Sequence, residues 1–208
     1  MLKQYKTVLR PSETEFYEKK SRFIGHCFPA SSAEEAMARL YEMRKKYPDA
    51  THNCWAYNLS DGSMRFSDDG EPGGTAGMPI MDTLLRRDLK DAVVIVTRYF
   101  GGILLGSGGL VRAYSRAADG ALQAAGCGVM CPCDVFEFAV DYPRYGAIEG
   151  FVKANAVVDS IDFLENVRFR VTVPSERAAE FSAAIVERTD GKASPVTVDE
   201  RFVAVEEN

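Results

Sequence analysis

The sequence predicts a two-domain α+β protein, with one domain over residues 1–130 and the other over residues 131–208. Strand-like and helical patterns alternate in both parts, and in the second part they follow the order βαββαβ. The charge balance also changes, from 17 basic and 15 acidic residues before position 131 to 8 basic and 15 acidic residues from there on. Glycine and proline punctuate residues 126–134, and this junction is too short to be a long flexible linker.

The first domain is predicted to begin with an extended segment over residues 19–30. A helix follows, because Ser31 and Ser32 each precede a glutamate by three residues in the pattern of a capping box. This helix ends before Pro48, since proline disfavours helical backbone in the residue that precedes it. The other predicted elements are a strand over 51–59, a loop over 65–77, a helix over 78–89, a buried strand over 93–97 and a helix over 110–125.

The second domain has a clearer pattern. Phe136, Phe138, Val140 and Tyr142 alternate with other residues, which predicts a half-buried strand. The elements predicted after it are a short helix from Pro143, strands over 157–163 and 167–173, a helix over 175–188 and a last strand over 196–205. This order is that of the ferredoxin-like fold, which does not by itself assign a function.

Composition narrows the class of protein. The 208 residues are 46% hydrophobic and 26% charged, which is ordinary for a globular protein. No apolar run approaches the roughly 20 residues that span a membrane, and the N-terminal residues lack the apolar core of a signal peptide. We therefore expect a cytoplasmic protein with no membrane partner and with its five cysteines reduced. Cys127, Cys131 and Cys133 lie close together but lack a fourth zinc ligand nearby.

The most informative segment is "AVVIVTRYFGGILLGSGGLVRAYS", residues 92–115. Five glycines fall within nine residues of it: Gly101, Gly102, Gly106, Gly108 and Gly109. A strand, a glycine-rich loop and a helix in this order place unpaired backbone N–H groups at a helix N-terminus, which favours anion binding. Arg98 and Arg112 lie at the two edges of the loop. The alternative is that the glycines only allow a tight turn, and the P-loop and Rossmann fingerprints are both absent.

A second loop concentrates acidic residues. Asp68, Asp69 and Glu71 lie within four residues of one another. Carboxylates together with substrate phosphates can hold Mg²⁺, so these three residues are a candidate metal site. Two other interpretations stay open: a solvated turn, and pairing of the carboxylates with Arg98 or Arg112 to fix the glycine-rich loop.

His52 and Cys54 point to the same side of the strand predicted over 51–59. Residues i and i+2 of a strand lie about 7 Å apart, which is too far for direct activation of the thiol by the imidazole. A structural histidine beside a buried cysteine is the favoured interpretation.

Four segments together resemble the YigZ/IMPACT family: "KKSRFI", "THNCWAY", "SDDGEPGGTAG" and "VVIVTRYFGGILLGSGGLVRAYS". The resemblance implies an N-terminal α/β domain of the fold shared by a ribosomal small-subunit protein, GHMP kinases and the fourth domain of elongation factor G. It implies a ferredoxin-like C-terminal domain similar to the fifth domain of that factor. IMPACT relatives regulate translation by binding an activator of an amino-acid-starvation kinase, and for bacterial members a nucleic-acid or ribosome role is the usual inference.

These observations lead to a first hypothesis of a non-enzymatic regulator associated with translation. It would bind RNA, the ribosome or a translation protein through one surface of the first domain, with no catalytic residue assigned. The candidate binding residues are Arg22, His52, Arg98, Tyr99, Gly101, Gly102, Gly106, Ser107, Gly108, Gly109 and Arg112. The second hypothesis is a Mg²⁺-dependent small-molecule phosphate-binding protein or enzyme, and the third is a pure protein-interaction adaptor.

Overall fold

The structure is a computed structural model that describes residues 4–206. The chain divides into two compact units. The first unit contains Tyr5–Val129 and residues 204–206, and the second contains Met130–Val203 with Gln4. Each unit combines helices with an antiparallel sheet, which confirms the predicted two-domain α+β class.

The first unit is built on a five-stranded antiparallel sheet in the order β2-β3-β6-β4-β5. Its elements are β1 Tyr5–Val8, β2 Ser12–Glu18, β3 Ser21–Pro29, α1 Ala33–Lys46, β4 His52–Asn58, β5 Met64–Ser67, α2 Gly77–Arg86, β6 Ala92–Tyr99 and α3 Ser107–Ala125. The capping box is present, since the Ser32 side chain accepts a hydrogen bond from the backbone N–H of Glu35.

Strand β6 lies at the centre of this sheet and is buried on both faces. Val93 and Ile95 pack in one apolar core with residues of α1, whereas Val94 and Val96 pack in the other with residues of α2 and α3. Successive side chains of a strand point to opposite faces, so a continuous run of β-branched residues suits a strand covered on both sides. The first unit is therefore a sheet between two helical layers.

Several elements of the first unit differ from the predictions. Strands β1, β2 and β5 were not predicted, because they carry many polar side chains and β5 is largely exposed at the edge of the sheet. Helix α3 begins at Ser107 rather than Leu110, since Gly108 and Gly109 adopt helical backbone. Helix α2 ends at Arg86, three residues before the predicted end.

The second unit has the predicted βαββαβ order. Its elements are β7 Cys127–Val140, which begins in the first unit, α4 Tyr142–Asn155, β8 Val157–Phe163, β9 Val167–Pro174, a 3₁₀ turn Ser175–Arg177, α5 Ala178–Arg188 and β10 Val196–Glu206. The strands are ordered β10-β7-β9-β8, and Phe138, Phe169 and Phe181 pack between this sheet and its helices.

Residues 204–206 belong to the first unit although they follow the whole second unit in the chain. There the Val205 carbonyl and the Leu9 side chain approach Gly128 so closely that a side chain at position 128 would collide with both. In the described part of the chain, no helix has the length and apolarity needed to cross a membrane. All five cysteines are free thiols.

Candidate functional site

A cleft of about 380 Å³ opens in the first unit between two loops. We call residues 68–76, between β5 and α2, the acidic loop, and residues 100–106, between β6 and α3, the glycine-rich loop. The cleft is lined by residues of both loops and of the adjoining strands and helix, including His52, Glu71, Arg98, Phe100, Leu104 and Ser107. Most of the charged and polar residues that line it were predicted as candidates from the sequence.

The floor of the cleft holds a buried ion pair between Arg98 and Glu71. Arg98 is 4% exposed and Glu71 is 8% exposed, and Arg98 Nη1 donates to Glu71 Oε1 over 2.5 Å. The hydroxyl of Tyr114 donates to the same oxygen over 2.7 Å. Burial, together with the nearby Cys54 and Glu71, raises the pKa of Tyr114, so its hydroxyl stays protonated and keeps donating.

Aromatic rings also hold the Arg98 guanidinium. The rings of Phe23 and Phe100 have their centroids 5.3 and 5.5 Å from its central carbon. Arg98 Nη2 donates to the Ser21 hydroxyl over 3.3 Å. A buried arginine with these partners is locked in one position and connects β6, β3 and the acidic loop. The open interpretation in which a carboxylate of the acidic loop pairs with Arg98 is thus confirmed for Glu71.

His52 faces the cleft from the start of β4. Its Nδ1 lies 2.8 Å from the backbone carbonyl oxygen of Asp69. A carbonyl oxygen can only accept, so Nδ1 carries the proton and, in the neutral ring, Nε2 is a hydrogen-bond acceptor. That Nε2 lies 3.9 Å from Glu71 Oε1.

Cys54 is buried behind His52 on the same strand. Its thiol donates to the backbone carbonyl of Asp68 over 3.0 Å, and burial raises its pKa. A protonated thiol is a poor nucleophile, so this cysteine anchors the acidic loop rather than attacking a substrate. His52 binds the neighbouring carbonyl, and the two side chains together fix the loop.

The three carboxylates of the acidic loop do not converge. Asp68 accepts from the backbone N–H groups of Gly74, Ala76 and Gly77 at 2.8 to 3.0 Å. Asp69 accepts from Arg44 at 2.6 Å and from the backbone N–H of Asn53 at 2.7 Å, and Glu71 pairs with Arg98. Among residues 4–206, no three His, Cys, Asp or Glu side chains come together as ligands for a metal ion. The structure therefore separates the predicted Mg²⁺ ligands by giving each its own protein partners.

The glycine-rich loop ends at the N-terminus of α3. Gly106 has a φ of +75° and is the N-cap residue, so this end of the helix has no capping side chain. The backbone N–H groups of Ser107, Gly108 and Gly109 are at the first turn, where a helix offers no partner of its own. Gly101 packs directly on the backbone of Lys20, where a Cβ would collide. Gly101 and Gly106 thus serve the turn, as the alternative interpretation predicted.

Arg112 lies next to this helix terminus. Its Nη1 is 3.6 Å from the position that a Cβ of Gly108 would occupy. Arg112 is exposed and makes no hydrogen bond or ion pair with another residue in the range 4–206. Its charge is therefore free to act beside the N–H groups of the first turn of α3.

Two apolar side chains of the glycine-rich loop reach solvent at the edge of the cleft. Leu104 is 82% exposed and Phe100 is 46% exposed. Neither was predicted as a site residue, and neither was Tyr114, which the helical pattern identified only as core. Exposed apolar groups in a glycine-rich loop were the signal that could have found the first two.

Seven of the eleven predicted binding candidates do not line the cleft: Arg22, Tyr99, Gly101, Gly102, Gly108, Gly109 and Arg112. Arg22 pairs with Glu15 at 2.6 Å on the exposed side of the sheet, and the hydroxyl of Tyr99 donates to Asp49 over 3.0 Å. Tyr99 follows Arg98 directly, and adjacent residues of a strand point to opposite faces, so the two cannot share one site. Gly102, with a φ of +79°, belongs to the loop but does not line the cleft.

The fold and the cleft define a two-domain α+β protein with a candidate anion-binding site at a helix N-terminus. Comparison with known proteins gives its family. The pattern of the Impact N-terminal domain matches residues 19–122, and that of a domain of unknown function, DUF1949, matches residues 138–192. The chain belongs to the IMPACT family and is similar to bacterial members of it.

Individual relatives match over most of their length. The chain is 38% identical over 195 residues to the IMPACT family member YvyE of Bacillus subtilis, covering 92% of this chain and 90% of that relative. It is 34% identical over 187 residues to the IMPACT family member YigZ of Escherichia coli, covering 88% and 92%. A crystal structure of a hypothetical protein has the same fold, with a TM-score of 0.62, 30% identity and coverage of 96% of this chain and 99% of that one.

Proposed function

We propose that this chain is a non-enzymatic RNA-binding protein associated with translation, and that its cleft binds one nucleotide of an RNA strand. The observation that carries the proposal is the uncapped N-terminus of α3, where Gly106 and Ser107 line the cleft. Arg112 lies next to the same turn, outside the lining of the cleft. Backbone N–H groups at a helix N-terminus and an unpaired arginine both favour a phosphate.

The apolar edge of the cleft suits the base of the same nucleotide. Phe100 and Leu104 lie on the loop that leads into α3, and both are exposed to solvent. Proteins that bind single-stranded nucleic acid combine positive charge along the backbone with side chains against which bases stack. A phosphate at Ser107 and a base against Phe100 would use both parts of the cleft.

The family resemblance supports the link to translation. It implies domains similar to the fourth and fifth domains of elongation factor G, and it implies a regulatory role in translation for the IMPACT relatives. The first domain carries a small positive balance and the second a negative one, so the net charge of the chain adds little to the attraction of RNA.

Fluorescence anisotropy with a labelled single-stranded RNA tests this proposal. We expect saturable binding that weakens as salt rises, because phosphate contacts release counterions. Ser107→Asp places a carboxylate where the phosphate would bind, so it should weaken binding about tenfold or more while leaving the fold stable or slightly more stable. Ser107→Asn, which adds no charge, is the matched control and should bind like the natural protein.

A second pair of variants tests the apolar edge. Leu104→Ser should weaken binding, whereas Leu164→Ser, at another exposed leucine that lies in the second unit, should not. Equal affinity of the Ser107→Asp and Ser107→Asn variants for RNA would exclude the α3 terminus as the phosphate site.

A small phosphorylated molecule is the second candidate ligand, because a cleft of about 380 Å³ is within the range of small-ligand sites. Thermal-shift measurements with nucleoside monophosphates and sugar phosphates, with and without Mg²⁺, test it. Binding of these molecules without binding of RNA would favour the second candidate. Absence of binding to either class would leave the protein adaptor as the remaining hypothesis.

A further inference from the structure

We propose that the floor of the cleft recognises the 2′-hydroxyl of the bound nucleotide, through His52 as the acceptor, so that the protein prefers RNA to DNA. This inference rests on the proposed function and extends it by naming the group that distinguishes the two nucleic acids. The 2′-hydroxyl is the group by which proteins generally make this distinction.

The hydrogen bond from His52 to the acidic loop determines the tautomer of its ring. Its Nδ1 donates to the Asp69 carbonyl over 2.8 Å, which fixes the ring and, in the neutral imidazole, places the free lone pair on Nε2. The imidazole lines the cleft, and its Nε2 lies 3.9 Å from Glu71 Oε1. Since a carboxylate oxygen also accepts, the two atoms cannot satisfy each other while the ring is neutral.

The two carboxylate oxygens of Glu71 differ in their hydrogen bonds. Its Oε1 already accepts from Arg98 and Tyr114, at 2.5 and 2.7 Å. Its Oε2 accepts no hydrogen bond from a residue between positions 4 and 206. The floor of the cleft therefore offers two acceptors, His52 Nε2 and Glu71 Oε2, beside the buried Nε–H of Arg98, which has no hydrogen-bond partner among residues 4–206.

The N-terminus of α3 lies at the other end of the cleft, and its hydrogen-bonding groups differ from those of the floor. The first turn of α3 presents backbone N–H donors there, from Ser107 onward, and Arg112 lies beside that turn, outside the lining of the cleft. A ligand that satisfies both ends carries a hydrogen-bond donor close to an anion. A ribonucleotide has this arrangement, because the 2′-hydroxyl is next to the carbon that bears the 3′-phosphate. Deoxyribose has no donor at that position and would leave Nε2 without a partner, which costs binding free energy.

Binding of three oligonucleotides of one sequence tests the inference: RNA, DNA and 2′-O-methyl RNA. We expect the natural protein to bind RNA about tenfold more tightly than either of the others, since a methylated oxygen cannot donate. His52→Phe should bring the ratio of RNA affinity to DNA affinity to about one, because phenylalanine cannot accept a hydrogen bond from the 2′-hydroxyl. His52→Gln, whose amide can both donate to Asp69 and accept, should retain part of the preference.

The outcomes separate the two proposals. Equal binding of RNA and DNA by the natural protein would overturn the recognition of the 2′-hydroxyl and leave the phosphate site in place. A preference for RNA that survives in His52→Phe would overturn the role of His52. Absence of binding to all three oligonucleotides would overturn the proposed function and this inference with it. The methylated RNA needs no variant, so the test holds even if His52→Phe fails to fold.

Discussion

At the scale of single residues, the buried pair of Arg98 and Glu71 determines how the cleft is built. Each is nine-tenths buried, and each is the other's only ionic partner among Lys, Arg, Asp and Glu side chains in the described chain. Removing one member leaves a charge in an apolar environment, which costs far more than the net contribution of the pair itself. The pair therefore holds the two loops in place only while both members are present.

We predict that Glu71→Ala lowers the free energy of unfolding by about 3–5 kcal/mol, because Arg98 would remain buried and unpaired. Urea denaturation followed by circular dichroism measures this. Arg44→Ala is the control, because it breaks a more exposed ion pair with Asp69 and should cost about 1 kcal/mol or less. A double variant, Glu71→Met with Arg98→Met, should be more stable than Glu71→Ala, and a still less stable double variant would contradict the argument.

His26 is a second buried titratable residue of the first unit, and the described chain gives its Nε2 no hydrogen-bond partner. It lies between the rings of Phe28 and Tyr47, with Glu13 and Lys46 as the charged groups nearby. Burial lowers the pKa of His26 to about 4, although the charge of Glu13 acts in the opposite direction. Folding thus favours the neutral ring.

The sign of the pH dependence follows from this shift. The unfolded chain takes up a proton near pH 6.5 and the folded chain only near pH 4, so stability is full above pH 6.5 and falls between these values. We predict a loss of about 3 kcal/mol by pH 4 from His26 alone. Urea denaturation at several pH values should show a shallower loss in His26→Phe. An identical slope in this variant between pH 6.5 and pH 5, above the range in which carboxylates titrate, would refute the assignment.

At the scale of elements, helix α2 depends on a residue outside itself. Its N-cap position is Ala76, which has no side chain that can cap, and Asp68 supplies the acceptors from eight residues upstream. Burial alone would raise the pKa of Asp68, but the backbone N–H groups of Gly74, Gly77 and Ala76 outweigh it, so the pKa is lowered. The acidic loop is thus the cap of α2 as well as one wall of the cleft.

We predict that Asp68→Ala lowers the free energy of unfolding by about 1–3 kcal/mol, because it leaves backbone donors at the start of α2 without an acceptor. Amide hydrogen exchange should increase first at Ala76 and Gly77. Asp61→Ala is a control, since Asp61 accepts from Ser63 in an exposed turn and caps no helix. Unchanged exchange at the start of α2 in Asp68→Ala would show that the cap contributes nothing.

The elements also show what the sequence could predict. Strand β6 and helices α1 and α3 were predicted because their buried residues are apolar and recur at the spacing typical of a buried strand or of an amphipathic helix. Strand β5 could not be predicted, because an exposed edge strand has no apolar period. The pairing of Glu71 rather than Asp68 or Asp69 with Arg98 depends on the acidic loop, where Asp69 and Gly70 have positive φ angles of 44° and 90°. Local patterns do not specify such a conformation.

At the scale of the whole molecule, the two units differ in what could be predicted from their sequences. The first unit holds the cleft, and its residues gave most of the functional predictions. In the second unit, alternating apolar residues predicted the order of the elements but no functional site. A regular apolar pattern indicates which side chains pack in the core, and not which residues bind or react. The folding of both units into α+β structures was therefore predictable, whereas the position of Arg22 outside the cleft was not, because its partner Glu15 lies on β2, which was not predicted.

The return of residues 204–206 to the first unit has a consequence for the order of events during synthesis. When the ribosome has just translated Val129, the strand segment that packs on Gly128 has not yet been made. That surface of the nascent first unit therefore stays uncovered until the whole second unit has been synthesised. Domains generally fold one after another as they leave the ribosome. In this chain, the first unit is synthesised before the second but is completed only after the second unit has been synthesised.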